Sequence, residues 1–169
     1  HLRQHTGSPV RAHHQVVGQQ HRKGVLPDQG LGAQLRYITP PNSRYDSGDL
    51  TLVDGQFGAR PWRGYQWVGF DTNTIELKVD LEERRKIKSI ELGCLYEPSS
   101  WIHLPNEVKI TTDSGKTKHV NITSERTVIR FGKKAQTLRL QITGPKTIPV
   151  GFPGEGSTPW IFMDEIIVR

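Results

Sequence analysis

From Leu35 onward the apolar residues recur at every second position in short runs, and no stretch repeats them at the helical period. The clearest run is IELKVDL, in which Ile75, Leu77, Val79 and Leu81 point one way while Glu76, Lys78 and Asp80 point the other. The same alternation marks Val108 with Ile110, Val120 with Ile122, Val128 and Ile129 with Phe131, and Leu138, Leu140 and Ile142, and WIFMDEIIVR closes the chain. Gly, Pro, Asn and Asp clusters separate the runs. Asp113-Ser114-Gly115 reads as a tight hairpin turn, with the glycine supplying a positive φ. About eight strands with no helices between them predict an all-β fold, an antiparallel β-sandwich of the jelly-roll kind.

This pattern occupies residues 31–169, which are long enough for a single core. Residues 1–30 hold five of the seven histidines and almost no apolar periodicity, and read as a polar, basic, weakly ordered arm or linker. His13 and His14 lack a nearby Cys or carboxylate to complete a metal-binding spacing. The single cysteine, Cys94, rules out an internal disulfide and lies in the apolar run IKSIELGCLY, where a buried structural thiol is expected. No window approaches the roughly 20 apolar residues of a membrane span. The polar start HLRQHTGSPVRAHHQ is not a signal peptide, so an export signal is expected upstream.

The formal charge of +6 divides evenly: residues 1–30 carry +3, and residues 31–169 carry 19 basic against 16 acidic groups. A nearly balanced body predicts no nucleic-acid partner. Catalytic signatures are also missing: there is no G-x-S-x-G, H-E-x-x-H, P-loop or dinucleotide fingerprint. Asp164 and Glu165 are adjacent on a predicted strand, so strict alternation sends them to opposite faces, where they cannot act as a facing pair. No enzymatic activity is expected of this fragment.

Four blocks in order, LVDGQFG, IELKVDL, WIHLPNEVKITTDSGK and DEIIV, carry a resemblance to discoidin-like domains, the coagulation factor V/VIII type C group of galactose-binding-like modules. Glu82 stands where that family has a glycine after Val-Asp-Leu, and TTDSGK replaces its S-x-D-G. With PPNSRY before LVDG, the chain is similar to modules at the C-terminal end of bacterial family 20 β-N-acetylhexosaminidases. The resemblance implies a secreted, periplasmic or outer-surface setting in a bacterium.

It also implies a structural calcium ion, held by Asp54 and Glu165 with loop carbonyls between Asp49 and Ala59; Asp46, Asp49 and Asp164 are nearby acids. The residues alone equally allow an ordinary Asp54-Gly55 turn and an exposed Glu165.

For ligand binding, the segment ARPWRGYQWVGF concentrates Arg60, Trp62, Arg63, Tyr65, Gln66, Trp67 and Phe70 in a loop. Aromatic rings stack on the apolar face of a pyranose while amides and guanidinium groups bond its hydroxyls. The resemblance carries glycan contact to Arg63, Gln66 and Trp67, with Arg63 where a histidine is common. Packing is the competing role for Trp62 and Trp67. Trp101 in EPSSWIHLP, beside an exposed His103, and Trp160 after the long loop KTIPVGFPGEGSTP are further candidates, with a core or parent-contact role competing for Trp101 and packing at the start of the last strand for Trp160. The expected function is a non-catalytic accessory domain that binds glycan, monomeric as an isolated fragment. The alternative is a docking domain packed on the catalytic domain of its parent enzyme without sugar affinity.

Overall fold

The computed structural model describes residues 27–60, 62 and 66–169. Most of the expected arm, 1–26, lies outside them. Seven strands build the fold: β1 (Gln34–Tyr37), β2 (Val68–Phe70), β3 (Thr74–Cys94), β4 (Glu107–Thr112), β5 (Thr117–Asn121), β6 (Arg126–Thr143) and β7 (Ile161–Val168). Every pairing between them is antiparallel. The first part of β3 (74–80) pairs with β1 and with the last part of β6 (137–143), which continues to β4 and then β5. The second part of β3 (85–94) pairs with the first part of β6 and with β7, which continues to β2. Two layers result, and one core fills the space between them. The expected antiparallel β-sandwich is therefore present. The described residues contain no helix long and apolar enough to cross a membrane.

The long strands are a departure from the expected count. Runs that read as separate strands, IELKVDL and IKSIELGCLY on one side and Val128–Phe131 and Leu138–Ile142 on the other, are each continuous. The chain turns the corner between layers without leaving the ladder. Two register breaks provide the bend, one between Asp80 and Arg85, where Glu82 takes φ 67°, and one between Ile87 and Ser89, opposite which Gly132 takes φ 64°. Asp80 Oδ1 accepts the Glu82 amide at 2.8 Å and fixes the turn. Alternation on either side of the bend keeps Leu77, Val79, Leu138 and Leu140 in the core with Ile90, Leu92, Ile129 and Met163. Each such side chain contributes about 1.5–3 kcal/mol on burial. Val128 is 61% exposed because it directly precedes the buried Ile129, and neighbours in a strand cannot share a face.

β7 is buried along its whole length. One side meets the core, and the segment around the 3₁₀ turn Thr51–Val53 packs against it. Its register against β3 slips between Leu92 and Cys94, so β7 carries one extra residue near Asp164 and Glu165. The start of the domain is tied to the end of the same strand. Asp28 Oδ1 accepts the Val168 amide at 3.0 Å, and the Gln29 amide donates to the Val168 carbonyl at 2.6 Å.

Glu82 occupies a left-handed conformation that costs a side-chain-bearing residue about 1–2 kcal/mol. Glycine there removes that strain and loses part of the gain through its greater unfolded-state entropy. Glu82→Gly should raise stability by up to about 1 kcal/mol, read as a higher urea midpoint at unchanged m-value.

Candidate functional site

Three loops meet at one end of the sandwich. Pro98–Ser100 forms a 3₁₀ turn that closes on Trp101, whose amide donates to the Pro98 carbonyl at 3.0 Å with the residue at φ 63°. The Trp101 carbonyl accepts the Trp160 amide at 2.8 Å, and the His103 amide donates to the Trp160 carbonyl at 3.1 Å. Trp62 Nε1 reaches Ser100 Oγ at 3.2 Å. Three of the four tryptophans thus belong to one assembly. Trp62 and Trp160 are half-buried around Tyr45, with ring centroids 5.6 and 5.2 Å away, and both also meet Phe162.

Trp67 sits deeper and has a packing role. It is buried, its Nε1 donates to the Ala59 carbonyl at 2.9 Å, and Gly58 lies so close that a Cβ there would overlap the indole. Gln66 is half-buried, and Arg63 lies outside the described residues. Trp101 is 40% exposed, with its ring against Gly154 of the long loop before β7.

His103 corrects the expectation of an exposed side chain, because it is buried. Only Ile102 of this segment pairs, through isolated bridges to Glu97 and Trp160, and no regular strand forms, so alternation does not govern Trp101 to His103. Tyr96 and Phe152 meet the imidazole edge-on, at 5.9 and 5.4 Å. Its Nε2 has no hydrogen-bond partner, and burial lowers its pKa and favours the neutral ring. Glu97 Oε2, from the same connection, is also buried and unpartnered. Tyr96 and Phe152 are 39% and 38% exposed. The end therefore presents part-exposed aromatic surface over buried polar atoms that lack partners. Neither Tyr96 nor Phe152 stood out in sequence, although Phe152 lies in the long Gly/Pro-rich loop KTIPVGFPGEGSTP.

A second candidate site lies along β7. Strict alternation would separate Asp164 from Glu165, but the extra residue lets both address the 54–58 loop. Asp164 accepts the Gly58 amide at 2.8 Å and is paired with Arg126, whose Nη1 donates to it at 2.9 Å and whose guanidinium lies 4.3 Å from the centre of the Phe57 ring. Gly93 leaves the space that this ion pair fills. Glu165 is fully buried, and neither carboxylate oxygen has a hydrogen-bond partner. Burial, and then the charge of Asp54, push its pKa up to about 9, with the nearby Gly55 and Ile166 amides offsetting part of this.

A buried carboxylate without partners, facing an acid in a carbonyl-rich loop, fits the donor set of a hard cation. Asp54 Oδ1 also accepts the Gln56 amide at 2.8 Å. No cluster of three or more His, Cys, Asp or Glu side chains occurs among the described residues, so loop carbonyls would have to supply the remaining oxygens. The other acids have different surroundings: Asp164 is engaged by Arg126, while Asp46 and Asp49 lie near Tyr37 and, after burial, help raise the pKa of its hydroxyl.

No protein family's sequence profile matches the chain, and no curated protein matches it in sequence. Similar solved structures do exist. A fucose-binding module of Streptococcus pneumoniae shares 14% identity at a TM-score of 0.58, over 85% of this chain and 98% of the module. The lectin domain of lectinolysin, solved in complex with the Lewis B antigen, shares 12% at 0.60, over 84% and 95%. A module produced by Clostridium perfringens, CpGH89CBM32-4, solved with GlcNAc-α-1,4-galactose, shares 14% at 0.59, over 89% and 99%. At such identities the common property is the galactose-binding-like β-sandwich itself.

Two outcomes test the β7 site. In metal-free buffer the folded chain keeps Glu165 protonated up to about 9, whereas the unfolded chain ionises it near 4.5. The native state then holds the extra proton, so stability should fall as pH rises through this interval, and Glu165→Gln should flatten the slope in urea melts. Asp164→Ala should cost about 1–3 kcal/mol in the same assay, since it strands the Gly58 amide and the partly exposed Arg126.

Proposed function

We propose that the chain is a non-catalytic carbohydrate-binding module, an accessory domain of a secreted bacterial glycoside hydrolase with a β-N-acetylhexosaminidase as parent. The observation that carries this reading is the aromatic end, where Tyr96, Trp101 and Phe152 are part-exposed beside the unpartnered Nε2 of His103. The likeness to glycan-binding modules in fold supports it, as does the PPNSRY–LVDG resemblance for the parentage. Stacking by the rings would hold a pyranose face, and the buried His103 Nε2 and Glu97 Oε2 would take hydrogen bonds from its hydroxyls once the part-exposed Tyr96 and Phe152 rings shift to admit them. Such a module raises the local concentration of its parent on a glycan surface and leaves the chemistry to the parent.

In this reading Glu165 and Asp54 hold a calcium ion with carbonyls of the 49–59 loop. The ion neutralises the buried carboxylate and fixes the loop against β7, so its contribution is structural.

A glycan array followed by calorimetric titration tests the module. Phe152→Ala and Trp101→Ala should each weaken binding about tenfold or more while leaving the melting temperature nearly unchanged. Trp67→Ala should lower stability by about 3–5 kcal/mol because it empties a packed site. A folded chain that ignores every glycan, yet binds the isolated catalytic domain of its parent through Trp62 and Trp160, would replace this reading with a docking domain.

Calcium should raise the melting temperature, and chelation should reverse the gain. Glu165→Gln should abolish the response. An unaltered response in that variant, or none in the unmodified chain, would remove the ion from the account.

A further inference from the structure

The near balance of charge along the sequence conceals a concentration in space. Residues 27–169 carry a net charge of +2, yet the corner formed by residues 82–88 and 130–136 carries +5, which leaves −3 for all the rest. Here β3 and β6 cross between the layers as a two-stranded ribbon, with Lys86 paired to Lys134, Ile87 to Lys133 and Ser89 to Arg130. Lys86, Lys88, Arg130, Lys133 and Lys134 are all exposed, and none has a carboxylate partner among the described residues. Arg84 and Arg85 at the same bend are paired with Asp113 and Glu83.

Like charges directly opposite one another in a ladder destabilise it, so the Lys86–Lys134 pair works against the fold. Its presence among three further unpaired cations is explained if a polyanion covers them. The apolar residues of the two segments, Ile87, Phe131 and Ala135, are buried. These segments therefore have no exposed ring on which a nucleic-acid base could stack, and the exposed Val128, two residues before Arg130, is a single small side chain, too little apolar surface to anchor in a membrane.

We propose that this corner binds an acidic polysaccharide, a linear glycan bearing sulfate or carboxylate groups, at a site separate from the aromatic end. The choice of a polysaccharide among polyanions rests on the carbohydrate-binding reading above. The charge concentration itself does not.

Heparin serves as the probe. The full chain should be retained on heparin–agarose at 0.15 M salt, near the physiological level, where exposed charges are screened beyond about 8 Å. The variant K86Q/K88Q/K133Q/K134Q should elute earlier in a salt gradient and bind a heparin oligosaccharide at least about tenfold more weakly. A charge-matched control, K78Q/K109Q/K116Q/K118Q, keeps the same net charge and the four cations within residues 1–26, and should behave like the unmodified chain. Lys134→Gln alone should raise the melting temperature slightly by relieving the like-charge pair.

Equal losses in the two quadruple variants would overturn the proposal, as would duplex DNA binding as tightly as heparin through the same four lysines. Neutral-glycan binding is measured in parallel. If it is missing while lysine-dependent heparin retention stands, the aromatic end has failed and the corner has not.

Discussion

The fold depends on one ladder. β3 and β6 stay hydrogen-bonded to each other on both sides of a bend, so the two layers of the sandwich are held by the same pair of strands and not only by packing across the core. Everything else is added to the edges of that pair: β1, β4 and β5 to one layer, β7 and β2 to the other. Because the inward residues of both arms belong to one apolar cluster, bending the ribbon and filling the core are a single event. The bend requires left-handed backbone at Glu82 and Gly132, and it carries a dense set of cations to the outside.

The edges of this frame position the candidate sites. β7 is covered on its outer side because its extra residue turns two neighbouring carboxylates toward the 54–58 loop. Asp164 has its counter-ion, whereas Glu165 has none, and that difference separates a finished structural contact from an incomplete one. At the far end, isolated bridges among Glu97, Ile102 and Trp160 let rings from several loops gather without forming another strand.

Period-two alternation made the sandwich legible, because Ile75, Leu77, Val79 and Leu81 must share a face if they are to be buried at all. Wherever alternation fails, the sequence misleads. The corner reads as an interruption because Glu82, not glycine, takes the positive φ, and two continuous strands are thereby counted as four. The bulge near Asp164 and Glu165 reverses a parity argument that is sound for a regular strand. His103 reads as exposed only if Trp101 to His103 is treated as a strand. The clustering of tryptophans in ARPWRGYQWVGF is visible in sequence, but which ring fills space and which faces outward depends on Gly58, whose missing side chain admits Trp67. Charge is the sharpest case. A sum along the chain cannot register cations that two strands, over forty residues apart in sequence, bring into cross-strand register.

The bonds from Asp28 and Gln29 to Val168 mean that the backbone enters and leaves the sandwich at the same place. That place is one end of β7, beside the Lys86 carbonyl to which Gln29 Nε2 donates at 3.2 Å. The aromatic loops lie beyond Ile161 at its other end, roughly 23 Å away for a strand of this length. A domain with this layout has a stem and a tip. Sequence flanking either side would leave from the stem, where the basic corner also lies, so the tip faces away from whatever the stem is joined to.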